Sequence, residues 1–161
     1  MKVSDIMTKA PACCAPATNL GSAVEILWNG NCGILPVVDT HGRVVSVITD
    51  RDICIALGTG NRLPGEVTVG DVASWRAICC GADEDIRSAV ATMAEAKVRR
   101  LPVVDADGKI EGLLSIDDVV DRADRKARVK ADELTSKDVV SALKMLYAAR
   151  LPETVPQATD A

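Results

Sequence analysis

The chain has 161 residues, 48% of them hydrophobic, yet it contains no Phe, two Trp and one Tyr, and 19 basic against 23 acidic side chains leave a net charge of −4. That length holds one ordinary domain or two small ones sharing a core, and the core has to be aliphatic, built from Val, Ile, Leu and Ala. The charge argues against a general nucleic-acid coat or a binder of anionic membranes, the apolar runs fall far short of the ~20 residues of a membrane span, and an anionic ligand would need a local cluster of cations. The opening MKVSDIMTKA lacks the apolar run of a signal peptide, and its six cysteines sit in a chain with ample core. The expectation is a cytoplasmic protein with reduced thiols.

A short apolar piece at residues 12–15 reads as a strand. Thr18 or Asn19 then caps a helix whose Leu20, Val24 and Leu27 recur at i, i+4 and i+7. The runs Ile34 to Val38 and Arg43 to Ile48 are β-branched and separated by DTHG, which predicts a hairpin. Both are apolar on successive residues, as in a sheet covered on both faces. A second helix is expected from Thr49 to about Leu57, stopped near Gly58 and Gly60, and NRLPGE at 61–66 reads as a linker.

The pattern then repeats. At an offset of 66 residues, ILPVVDTHGRVVSVITDRDI (Ile34 to Ile53) aligns with RLPVVDADGKIEGLLSIDDV (Arg100 to Val119), and the same offset pairs Val3 with Val69 and Asp5 with Asp71 without a gap. Two copies of one supersecondary unit follow, each too small to bury its own apolar faces, so the two should pack on each other. The expected layout is a first unit at 1–60, a linker at 61–66, a second unit at 67–123, a helical extension at 124–151 and a flexible tail at 152–161. In the extension a helix runs on from Ser115 through a mixed-charge face. Thr135 or Ser136 caps another, with Val139, Val140, Leu143, Leu146 and Tyr147 on its apolar side. That helix covers the module, contacts a second subunit or meets a partner protein.

The motifs VxDIM, LPVVDxxG and ITDRDI of the first copy, with VGDVA, LPVVDADG and LSIDDV in register in the second, resemble the CBS domain, and two in tandem resemble a CBS pair, or Bateman module, over residues 1 to 123. The resemblance implies an α/β fold of the α+β type: two pseudo-symmetric β-α-β-β-α units packed through their sheets, plus the C-terminal helix. It also implies a homodimeric regulatory sensor rather than an enzyme. Such a sensor takes an adenosine-containing ligand (AMP, ADP, ATP or S-adenosylmethionine) in clefts between the units, signals to a partner protein and needs no obligatory cofactor.

For such a ligand the candidate constellation is Thr49 and Asp52 in the first copy, with Arg51 as a phosphate partner, and Ser115 and Asp118 in the second. By resemblance the Asp holds the ribose diol and the hydroxyl reaches phosphate or sugar, at a helix N-terminus that favours an anion. A hydroxyl three residues before a carboxylate is equally a helix capping box, which needs no ligand. Gly112, three residues before Ser115, stands where family members let the ligand pass close to the backbone. Ser46 replaces it in the first copy, so the second cleft is expected to be the better one. Lys97, Arg99 and Arg100 either border a cleft and pair with phosphate or form a solvated helix end.

Other features carry less. His41, the only histidine, lies in a turn; DADG (Asp105 to Gly108) lacks the glutamate of a calcium loop; and no nucleophile and base combine. Trp75 either stacks on adenine or packs partly into the core. At the 66-residue offset Cys13 and Cys14 match Cys79 and Cys80. In a strand one of each pair faces the core as a small hydrophobe, whereas a thiol-based redox or metal sensor would need the pairs to converge.

Overall fold

The computed structural model describes residues 1–73, 76–125 and 135–148, so Trp75, the mixed-charge run at 126–134 and the tail lie outside the described residues. The first repeat gives β1 (Thr8–Lys9), α1 (Leu20–Asn29), β2 (Ile34–Val38), β3 (Val44–Thr49) and α2 (Asp50–Gly60). The second gives α3 (Val69–Val72), β4 (Cys80–Gly81), α4 (Ile86–Ala96), β5 (Arg100–Val104), β6 (Ile110–Ser115) and α5 (Ile116–Arg125), and α6 (Ser136–Ala148) follows.

The two hairpins are copies in register. Leu35 lies opposite Ile48 as Leu101 lies opposite Leu114, and the register slips at Val37/Val38 as it does at Val103/Val104. Each reversal is an Asp turn: Asp39 Oδ1 accepts from the N–H groups of His41 and Arg43 at 2.8 and 2.9 Å, and Asp105 Oδ1 from those of Asp107 and Lys109 at 2.9 and 2.8 Å. Gly42 and Gly108 follow at φ +79° and +80°, which a residue without Cβ adopts freely. DADG is thus a turn.

Helix starts are capped as the sequence indicates, with Asn19 Oδ1 accepting from Ser22 N–H at 2.9 Å. The stop of α2 is later than expected. It runs through Gly58 and Gly60, both surrounded by open space, and ends at Asn61, which takes the left-handed conformation at φ 47°. A glycine inside a helix costs only about 1 kcal/mol, and Asn is one of the few residues suited to the left-handed cap.

Two aliphatic cores form, one around Leu20, Leu35 and Ile48, the other around Ile86, Met93, Leu101 and Leu114. Each is completed by the leading segment of the other repeat. Val67 and Val69 are buried in the first core and Val3 in the second. The backbone repeats the exchange: Leu20 N–H donates to Val67 O and Val69 N–H to Thr18 O, while Ile86 N–H donates to Met1 O and Val3 N–H to Glu84 O. β1 then continues onto the second repeat's sheet, Thr8 opposite Leu113 and Lys9 opposite Gly112, giving the order β1-β6-β5-β4. The expected first strand of the opening repeat is reduced to Cys14 bridging Val37, beside the two-stranded β2-β3 sheet. The hairpin tips meet, Val44 N–H donating to Gly108 O and Ile110 N–H to Gly42 O.

α6 packs on α4 and α5, burying Val139, Ala142 and Leu146 in the second core. Val140 and Tyr147, expected on that apolar side, are 48% and 44% exposed. The buried stripe runs i, i+3, i+7 from Val139, and a residue one step further along a helix points away from it. Among the described residues no helix is long and apolar enough to cross a membrane.

Candidate functional site

Thr49 ends β3 and caps α2; Ser115 ends β6 and precedes α5. Asp52 Oδ2 accepts from Thr49 N–H at 3.0 Å and Thr49 Oγ1 at 2.7 Å, and Asp52 N–H returns a bond to that hydroxyl at 3.2 Å. Asp118 Oδ2 does the same with Ser115, at 2.8, 2.6 and 3.1 Å. Identical bonds from N–H and hydroxyl to carboxylate open α3 at Thr68 and Asp71 and α6 at Thr135 and Asp138. The capping box therefore opens four of the described helices, whether or not a cleft lies beside it. Its geometry limits chemistry: the only proton of the Thr49 hydroxyl goes to Asp52, so Thr49 orients the carboxylate, and the Oδ1 oxygen keeps two lone pairs for a diol.

What separates the four boxes is their surroundings. Thr49, Arg51 and Asp52 line a cavity of about 340 Å³ whose walls include Ile34 and Val47 of the first hairpin. The opposite side comes from the second repeat: Arg76, Ile78, Lys97, Arg99, Arg100 and Pro102. Small-molecule clefts start at roughly 300 Å³, so the space suits a compact ligand. Of the residues singled out in the sequence, Thr49, Arg51, Asp52, Arg99 and Arg100 are brought together here, with Lys97. Ser115, Asp118 and Gly112 occupy the matching place in the second repeat.

The reason for preferring that second place does not hold. A Cβ on Gly112 would lie 2.5 Å from Met7 Sδ and 3.0 Å from Thr8 O, so the missing side chain admits β1 instead of clearing the backbone for a ligand. Ser46, its counterpart, is 3% exposed, and its hydroxyl donates to Val47 O at 3.3 Å. It is absent from the lining of the 340 Å³ cavity and so does not narrow it.

The cavity is basic. Arg100 lies 4.0 Å from Asp117 and is half-buried. Among the described residues no carboxylate lies within ion-pair distance of Arg51, Arg76, Lys97 or Arg99. The acidic liners are Asp50 and Asp52. Lys97 holds a left-handed backbone at φ 57°, as does its repeat mate Asn31 at φ 44°. Arg76 was missed in the sequence because it lies outside the repeated motifs, just after the segment that crosses to the first core.

The cysteines follow the packing reading. Cys14 and Cys80 are buried and Cys13 and Cys79 half-buried, all unbridged, and no metal-ligating group forms among the described residues. Burial pushes the thiols of Cys14 and Cys80 up to about 11 and about 12, away from the reactive thiolate.

Two pseudo-symmetric units with a basic cleft walled by both define a tandem ligand-cleft module. The chain belongs to the CBS domain family, which matches it twice, over residues 3–59 and 65–125. It is 31% identical to CBSX2 of Arabidopsis thaliana in complex with AMP, at a TM-score of 0.69, covering 79% of this chain and 98% of that one. It is 27% identical to the CBS domain pair of protein MJ0100 in complex with 5'-methylthioadenosine and S-adenosyl-L-methionine, at a TM-score of 0.69, covering 75% and 94%. An uncharacterized protein of Methanopyrus kandleri is 30% identical over 102 residues, 62% of this chain. The chain spans 52% of that relative's length, and 22% of an L-aspartate semialdehyde sulfurtransferase of Methanocaldococcus jannaschii to which it is 28% identical over 73% of its own.

Proposed function

We propose that this chain is a non-catalytic regulatory module that binds an adenosine-containing ligand, AMP, ADP or ATP, between its repeats and signals the bound state to a partner protein. The observation that carries the reading is the convergence, in one cavity of about 340 Å³, of the Asp52 carboxylate from one repeat and a group of cations from the other. Asp52 Oδ1 accepts the ribose diol, Thr49 holds the carboxylate, and Arg51, Arg99 and Arg100 face phosphate. Ile34, Val47, Ile78 and Pro102 offer apolar walls to the base. The AMP complex of CBSX2 and the methylthioadenosine and S-adenosylmethionine complex of the MJ0100 pair support the ligand class. Because the ligand would touch both repeats, its binding energy biases their relative placement, which is what a partner reads. The module acts as a homodimer, and Ser115 and Asp118 belong to its second cleft.

Thermal denaturation with each nucleotide tests the reading, since a ligand that binds only the folded state raises the midpoint. Asp52→Ala is expected to remove the rise, while Asp71→Ala, which breaks an equivalent capping box away from the cavity, keeps it. No rise with any adenosine compound would leave a ligand-free interaction module.

A further inference from the structure

The two clefts of a duplicated module would start alike, yet here their charges diverge completely. Carrying the cations of the Thr49 cleft through the 66-residue offset turns Arg51 into Asp117, Arg76 into Ala10 and Lys97 into Asn31. Arg99 and Arg100 become Gly33 and Ile34. Every cation is lost, whereas Asp52 keeps its counterpart in Asp118. Four of the five cations have no acidic partner among the described residues, and the fifth, Arg100, meets Asp117 only at 4.0 Å. Like charges gathered on one cavity repel until an anion arrives, and two carboxylates do not offset five cations. The left-handed backbone at position 97 points the same way. Asn31 is the residue type that tolerates that conformation, and Lys97 holds it at a backbone cost while carrying a cation into the cleft.

We propose that the Thr49 cleft is a polyphosphate site and the single nucleotide site of this chain: it takes a nucleoside di- or triphosphate in preference to a monophosphate or a sulfonium nucleoside, and the matching cleft at Ser115 and Asp118 takes none. A monophosphate brings about −2 and each further phosphoryl group roughly one more negative charge, so the longer chain matches the excess of cations. S-adenosylmethionine adds a positive sulfonium to a cleft already too positive. The nucleoside half of the proposal rests on the reading given under Proposed function; the phosphate half rests on the cations alone.

Isothermal titration of the full chain with ATP, ADP, AMP, adenosine, S-adenosylmethionine and inorganic tripolyphosphate separates the two. One equivalent of ATP per chain is expected, with affinity rising about tenfold or more between AMP and ATP, and with tripolyphosphate competing for the same site. Lys97→Asn, which installs the residue of the other repeat, and Arg99→Ala should each weaken ATP and tripolyphosphate while leaving adenosine unchanged; both residues are exposed, so folding is preserved. Asp71→Ala, which breaks a capping box away from the cavity, should leave the ATP affinity unchanged. Two equivalents per chain, AMP as tight as ATP, or S-adenosylmethionine as tight as ATP would overturn the proposal and leave the adenosine reading intact. Tripolyphosphate binding with no gain from the nucleoside would support the polyphosphate site and overturn the adenosine reading. Silence from every ligand would overturn both.

Discussion

Lys97 shows most directly how one position serves stability and binding at odds with each other. Its left-handed backbone suits asparagine, so Lys97→Asn is expected to raise the unfolding free energy by roughly 1 kcal/mol, measured by urea denaturation, in the variant that weakens polyanion binding. The aspartates of the capping boxes answer differently to pH. The Thr68 backbone N–H and then its hydroxyl hold the Asp71 carboxyl below its ordinary 3.8, and Thr135 does the same for Asp138. A depressed folded pKa adds stability above the ordinary value, and that contribution is lost as pH falls through the depressed one. The denaturation midpoint is therefore expected to drop below about pH 4, and to drop less when Asp71→Asn and Asp138→Asn are combined. Among the thiols, alkylation followed by mass spectrometry at neutral pH should modify exposed Cys54 first and Cys14 and Cys80 last. Caps and turns could be read from the sequence because each depends on residues within four positions, and strand alternation gave one inward cysteine in each pair without saying which. The meaning of a Thr-x-x-Asp box could not, since all four boxes look alike until the neighbouring cations are placed.

At the scale of elements, the pairing of β1 with β6 is the contact with the most to lose. Gly112→Ala would push a methyl group against Met7 and the Thr8 carbonyl, and is expected to cost about 1–3 kcal/mol, read from the urea midpoint. Met7→Ala should relieve part of that cost, because the side chain gives way and the Thr8 carbonyl does not. The hairpins and first helices were legible from period and turn chemistry. β1 was not: Thr8 and Lys9 are both exposed, so they carry no alternation to read, and the strand exists because β6 offers it an edge. The rotated stripe of α6 has the same origin, since packing on α4 and α5 decides which of its apolar residues turn inward. The overrun of α2 is local: the helix continues through Gly58 and Gly60 to the left-handed cap at Asn61.

Across the whole molecule, the exchange of leading segments binds the repeats into one cooperative unit. Neither residues 1–66 nor 67–148 holds a complete core, since Val3 belongs with the second and Val67 and Val69 with the first. The intact chain is expected to unfold in one transition seen alike by far-UV dichroism and calorimetry. Each half expressed alone should lack that transition, and mixing the halves should restore it. The exchange was invisible in the sequence, because an ungapped 66-residue repeat presents the same pattern whether Val3 packs on its own repeat or on the other. Arg76 reached the cleft by the same hidden route.

The crossed segments also bear on descent. A lone unit that lent its leading segment to an identical neighbour would be a swapped dimer, with every substitution appearing on both sides of its axis. In this chain residues 61–66 join the two copies, and no such constraint applies. Position 97 is lysine where position 31 is asparagine, and position 112 is glycine beside Met7 where position 46 is serine. A single chain can thus hold two halves that share a fold and differ at chosen positions.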